Sequence, residues 1–130
     1  MTWDDTIQDP SPDFIARVLA IVAKTPPGMV MSYGDIAEAI GEHPDLTNTI
    51  PAYGARLVGR VMSRFGGEVA WWRVIRASGE PPKHHEAEAW SHYLAEGTPV
   101  TGSQENYRID MKRARYEPGA ETSRQATLDF

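Results

Sequence analysis

The sequence predicts a mainly α-helical fold with short strands, built as a winged helix-turn-helix, on three observations. Three stretches with helical apolar spacing follow one another through the first half of the chain. The third carries Arg56, Arg60 and Arg64 four residues apart, a stripe beside its apolar face. Short runs rich in aromatic and β-branched residues then follow it, around Trp71–Ile75 and Tyr107–Met111.

Each element can be justified in order. Residues 1–12 form an expected flexible arm, rich in acid and proline. Ser11 or Asp13 can cap the first helix, whose core face is Phe14, Ile15, Val18, Leu19 and Val22, with Ile21 beside it. It should end near Lys24-Thr25, before Pro26-Pro27-Gly28, and Met29-Val30-Met31 is a short extended piece. Ser32 is placed to cap a second helix, Tyr33–Ile40, with Asp35 as the acidic member of a capping box. Ile36, Ala37 and Ile40 should face the core, and Gly41 should stop the helix. Residues 42–51 are polar and turn-rich. They make a connector longer than the three- or four-residue turn of the tightest helix-turn-helix motifs.

The third helix, from about Tyr53, packs Leu57, Val58, Val61, Met62 and Phe65 inward. Gly59 in its middle costs about 1 kcal/mol relative to alanine, so close approach by something else is expected there. The alternative is a solvated basic face with a tolerated glycine. Gly66 and Gly67 end it. Trp71–Ile75 reads as a strand in which Trp71, Arg73 and Ile75 face one way and Trp72, Val74 and Arg76 the other. One tryptophan should pack in the core; the other either covers the surface or lines a pocket able to stack on a base. Residues 77–82 form a turn. A helix over 83–96 with Ala87, Trp90, Tyr93 and Leu94 on one face follows, then a loop over 97–106. Tyr107–Met111 is a short strand, and Lys112, Arg113 and Arg115 after it make a wing suited to phosphate.

Composition narrows the chemistry. A chain of 130 residues with 41% hydrophobic residues supports one domain with a single core. There is no cysteine, which excludes disulfides, thiolate metal sites and thiol nucleophiles. His85, Glu88 and His92 could share a helix face and invite a metal. A solvated polar face is the alternative, no further ligand set is evident, and neither metal nor cofactor is expected. No apolar run approaches a membrane span and no signal peptide is visible, so a cytoplasmic protein without membrane contact is expected. Net charge is −5, yet Arg56, Arg60, Arg64, Arg73 and Arg76 face only Glu68 between residues 54 and 76. Arg108, Lys112, Arg113 and Arg115 face only Asp110. Two basic segments on an acidic chain point to salt-dependent contact with nucleic acid.

Three motifs then carry a resemblance. Pro27-Gly28-Met29-Val30-Met31-Ser32-Tyr33-Gly34-Asp35-Ile36-Ala37 resembles the PxGxVxTYGxIA segment of the alkylguanine-DNA alkyltransferase domain. Ala55-Arg56-Leu57-Val58-Gly59-Arg60-Val61-Met62 resembles that family's ARxVGxAM recognition helix, and Ala70-Trp71-Trp72-Arg73-Val74 falls where the family has PCHRV. Their order and approximate spacing match, and the resemblance covers about residues 14–118. Trp71 aligns with the reactive cysteine and Trp72 with the general-base histidine, so alkyl transfer has neither its acceptor nor its base. The pattern resembles the alkyltransferase-like proteins, with their Pro-Trp-His-Arg become Ala-Trp-Trp-Arg.

The resemblance implies a non-enzymatic sensor that binds O6-alkylguanine in double-stranded DNA through the minor groove and flips the lesion out. The DNA-binding residues it implies are Tyr33, Arg56, Gly59 and Arg60, with Arg56 filling the vacated stack and Tyr33 pressing on the neighbouring phosphate. Trp71, Trp72, Arg73 and Val74 would form the lesion pocket. The alternatives are a core-packed Tyr33 and a structural ion pair for Arg73. It further implies a domain over residues 13–116, hand-over to nucleotide excision repair proteins, and a monomer, nucleoid-associated if bacterial. A generic winged-helix regulator without lesion preference is the competing reading. Residues 117–130 form an expected disordered tail whose end, Gln125-Ala126-Thr127-Leu128-Asp129-Phe130, resembles peptides that dock on the replication sliding clamp.

Overall fold

The computed structural model describes residues 10–41 and 54–118. The expected connector over 42–51, the start of the third helix at Tyr53 and the tail beyond residue 118 lie outside the described residues.

Helix α1 spans Pro12–Lys24, and Ser11 caps it by accepting the Phe14 N–H at 3.1 Å. Its proline sits in the first turn, where no N–H is needed. Phe14, Val18 and Val22 are buried, the spacing expected of one helical face. A two-residue strand β1, Met31–Ser32, leads directly into α2, Tyr33–Gly41. The capping box closes reciprocally: Asp35 N–H donates to Ser32 Oγ at 3.0 Å, and Ser32 N–H donates to Asp35 Oδ2 at 3.1 Å. Ser32 is itself buried. Ser32→Ala should therefore cost about 1 kcal/mol, read as a lower urea midpoint with an unchanged slope.

Helix α3, Gly54–Phe65, packs chiefly against α2, and a 3-10 turn, Gly66–Glu68, carries the chain out of it. Here the expected strand is corrected. Trp71–Arg73 is a second 3-10 turn, and only Val74–Ile75 extends as strand β2. The alternation assigned to Trp71–Arg76 is confined to Val74 and Ile75, which point into different clusters and are both buried. β2 runs parallel to β1, pairing Met31 with Val74 and Ser32 with Ile75.

The next helix also differs. α4 is Glu86–Glu96, with residues 83–85 in a turn and His84 at φ 71°. Its inward face is Ala89 and Tyr93, with Trp90 half-buried, whereas Ala87 and Leu94 are exposed. The expected loop over 97–106 is mostly an antiparallel hairpin, β3 Val100–Ser103 and β4 Asn106–Ile109. That hairpin is the wing. The basic residues after it form a short helix, α5 Met111–Ala114, and Arg115 is ion-paired with Asp35 at the start of α2.

Two clusters of buried side chains result. α1, α2 and α3 enclose the first, to which β1 and β2 contribute Met31 and Val74. α4, the hairpin and α5 enclose the second, which includes Val30 and Ile75. Neighbouring residues of an extended chain point to opposite faces, so the paired segments serve both cores. Gly79 locks the wing against the turn that follows β2. Its carbonyl accepts the Ile109 N–H at 2.8 Å, its φ is +88°, and an added Cβ would lie 2.5 Å from the Ile109 carbonyl oxygen. Only glycine fits that conformation and that gap.

Candidate nucleic-acid interface

Helix α3 buries Gly54, Val58 and Val61 and leaves Ala55, Arg56, Ser63 and Arg64 exposed, with Gly59 and Arg60 half-exposed. A Cβ added to Gly59 would meet no atom of the described residues within 4 Å. Packing among the described residues therefore does not require a glycine there. What the missing side chain leaves is a shallow outer face on the helix, bordered by arginines.

Beside this face lies a cleft of about 530 Å³. α2 supplies Tyr33, and α3 supplies Gly59, Met62 and Ser63. Trp71, Val74 and the Gly66-Gly67 turn form the adjoining wall. The opposite rim is polar, with Arg76, Glu80, Lys83, His85 and Glu88. Parallel pairing of β1 with β2 explains the meeting of Tyr33 and Trp71, since Tyr33 follows β1 directly and Trp71 shortly precedes β2. Burial raises the pKa of the Tyr33 phenol, partly offset by the Arg76 charge, so the hydroxyl stays a neutral donor at physiological pH.

Of the sequence-derived pocket residues, Trp71 and Val74 line the cleft, whereas Trp72 and Arg73 do not. Those two are turned toward α4. Trp72 Nε1–H donates to Glu96 Oε2 at 2.8 Å, its ring lies flat on His92 at 3.6 Å, and its carbonyl accepts the Tyr93 hydroxyl at 2.6 Å. Arg73 donates to both oxygens of Glu96 at 3.2 and 2.6 Å and to the Thr25 carbonyl at 3.0 Å. Its Cζ also lies 5.6 Å from the Trp72 ring centre. The structural ion pair is thus the arrangement Arg73 adopts. Trp71 makes edge contacts with Trp72 at 5.6 Å and His92 at 5.8 Å and a tilted contact with His85 at 5.7 Å.

The histidines are divided between roles. His85 precedes α4 and pairs with Glu88 at 3.3 Å on the surface, while His92 is the platform under Trp72. Among the described residues no group of three or more potential metal ligands occurs, and no helix is long and apolar enough to cross a membrane.

Sequence reasoning missed Met62, Ser63 and the rim from Glu80 to Glu88 as cleft residues. It also missed Glu96, whose carboxylate gathers the Trp72, Arg73 and Gly28 N–H donors. Burial opposes ionisation of Glu96, but the hydrogen bonds from Arg73, Gly28 and Trp72 outweigh it and lower its pKa. Asp35 is also lowered: burial again opposes, and Arg115 and Ser32 prevail. Groups lowered in the folded state contribute stability that is complete above their unfolded pKa, about 4, and is lost as pH falls through the folded value. Thermal melts followed by circular dichroism should therefore be level from about pH 7 to 5 and fall steeply below about pH 4. Glu96→Gln should flatten part of that fall.

Comparison with known proteins fits this geometry. Residues 13–97 match the model of the family described as 6-O-methylguanine DNA methyltransferase, DNA binding domain. A DNA base-flipping protein of Escherichia coli K12 is 34% identical over 110 residues, covering 79% of this chain and 74% of that protein. A DNA base-flipping protein of Vibrio parahaemolyticus is 28% identical over 109 residues, covering 81% and 97%. The crystal structure of S. pombe Atl1 in complex with damaged DNA containing O6-carboxymethylguanine superposes with a TM-score of 0.67 at 26% identity, covering 84% of this chain and 99% of that one. A further structure of the S. pombe protein with DNA gives 0.66. With tryptophan in the cleft and no cysteine anywhere, the chain belongs to the alkyltransferase-like members of the family of the 6-O-methylguanine DNA methyltransferase DNA-binding domain.

Proposed function

We propose that this protein is a non-enzymatic sensor of O6-alkylguanine in duplex DNA. The observation that carries the reading is the cleft itself. Trp71 stands where the resemblance would put a nucleophile and lines the cleft together with Tyr33 and Gly59 of α3. A volume of about 530 Å³ falls within the roughly 300–1,000 Å³ of small-ligand sites, enough for one extruded base. The relatives' names support the flipping step, and the S. pombe complex supports damaged DNA as the ligand.

In this mechanism α3 lies in the minor groove, its arginines along the strands and its glycine against the sugar edges. Tyr33 presses on the phosphate next to the lesion, and Arg56 enters the stack as the base leaves. Extrusion costs a few kcal/mol, less for a pair already weakened by the alkyl group, which is one source of selectivity. Trp71 then packs against the flipped base. Tryptophan offers no atom that accepts an alkyl group, so the complex persists without repair. A bent duplex with an extruded base marks the site for nucleotide excision repair. The Gln125–Phe130 segment, which resembles a clamp-docking peptide, would bring the sensor to replicating DNA. The cytoplasm, or the nucleoid of a bacterium, is where such a monomer works, with no cofactor.

Fluorescence anisotropy with two duplexes, identical except for one O6-methylguanine, tests the reading at fixed salt. Binding at least about tenfold tighter to the lesion, or about 1.4 kcal/mol, is the expected result. Equal affinity would leave only the generic DNA binder, to be sought on sequence-specific sites. Loss of signal on deleting residues 125–130 in a clamp pulldown tests the tail separately.

A further inference from the structure

We infer that Glu96 is the positioning residue of the cleft, fixing the segments that carry Trp71 and Tyr33 into its lining without touching DNA; this rests on the sensor reading. Three residues from two separate segments converge on its carboxylate. Oε1 accepts from Gly28 N–H at 3.0 Å and Arg73 Nε at 3.2 Å, while Oε2 accepts from Trp72 Nε1 at 2.8 Å and Arg73 Nη2 at 2.6 Å. The side chains of Glu96 and Arg73 are only 12% and 15% exposed.

Each segment leads to a wall of the cleft. Trp72 and Arg73 adjoin Trp71 in one 3-10 turn. Trp71 packs against the edge of the second core and makes ring contacts with His85, His92 and Trp72, so its aim follows how that turn is held. Gly28 opens the segment that passes through β1 into Tyr33. It sits at φ +86°, and an added Cβ would be 3.0 Å from the Glu96 carbonyl oxygen. The two walls, far apart in sequence, are thus fixed to one side chain near the end of α4.

The chemistry of the knot makes it sensitive to an isosteric change. Both oxygens take two donors each. Glutamine has the size and shape of glutamate, but its amide NH₂ would face N–H donors on one side whichever way it is turned. A group that merely filled space would tolerate the change.

The experiment uses the full chain of the wild type, Glu96→Gln and Trp72→Phe, each well below its own melting temperature. The readout is the ratio of affinities for the O6-methylguanine duplex and its guanine counterpart. Glu96→Gln should reduce the ratio by about fivefold or more while affinity for the undamaged duplex stays within about twofold. Trp72→Phe keeps a ring on His92 but removes one donor, and should reduce the ratio by about threefold. If Glu96→Gln does not fold, Trp72→Phe alone decides. An unchanged ratio in the folded variants, or an equal loss on both duplexes, overturns the inference. No lesion preference in the wild type instead overturns the sensor reading on which it rests.

Discussion

Arg56→Ala should weaken binding to the lesion duplex by about tenfold or more, while binding to undamaged duplex falls by only about twofold to threefold. The difference follows from where the guanidinium acts. On intact DNA, the exposed Arg56 of α3 would be one phosphate-neutralising charge among several, and losing one such contact weakens all sequences about equally. In the proposed complex, with a base extruded, the same side chain would fill the gap and supply donors to the orphaned partner base. Without it, that base is left unpaired in a collapsed stack, at a cost of about 1–3 kcal/mol. Since Arg56 is exposed, its loss should leave the melting temperature unchanged. Anisotropy on the paired duplexes checks the first statement and a thermal melt the second. An equal loss on both duplexes would make Arg56 a plain phosphate contact.

Arg73→Met should have the largest effect on stability, about 3 kcal/mol, the low end of the range for breaking a buried ion pair. The Glu96 carboxylate would remain, nearly buried, with only Trp72 and Gly28 as donors, and the Thr25 carbonyl at the end of α1 would lose its partner. A domain of this size loses roughly 10 °C of melting temperature for such a change. The contrast is Arg17→Ala. It removes a 2.9 Å pair with Asp13 whose side chains are 31% and 61% exposed, and should cost no more than about 0.5 kcal/mol. Urea unfolding of the two variants side by side measures both. A loss under about 1 kcal/mol for Arg73→Met would mean that hydration replaces the ion pair.

The parts of the fold that rest on local rules were legible. α1 needed only its cap and the spacing of Phe14, Val18 and Val22; α2 needed Ser32 and Asp35. The inner face of α3 followed from period alone. The Trp71–Arg73 turn was not legible, because aromatic residues beside valine and isoleucine favour a strand. Its actual shape is held by Tyr93 and Glu96, 21 and 24 residues further along the chain from Trp72, and local propensity carries no trace of such partners. The wing failed for the opposite reason: its first strand is exposed and contains Gly102, so no buried alternation marks it. In the site, resemblance indicated Trp71, Tyr33 and Val74, all of which line the cleft. The rim from Glu80 to Glu88 has neither period nor motif, and Glu96 reads as an ordinary surface acid on α4.

The strand pair has a consequence for how the molecule opens. Met31 and Val74 belong to one core, Val30 and Ile75 to the other. Neither half can come apart without exposing one side of that pair, so the two cores should open as a single cooperative unit. In deuterated solvent, the amide protons that join Met31–Ser32 to Val74–Ile75 should then be among the last to exchange. The strand pair that joins the Tyr33 and Trp71 sides of the cleft would be among the slowest-breathing parts of the protein, giving the cleft a rigid base.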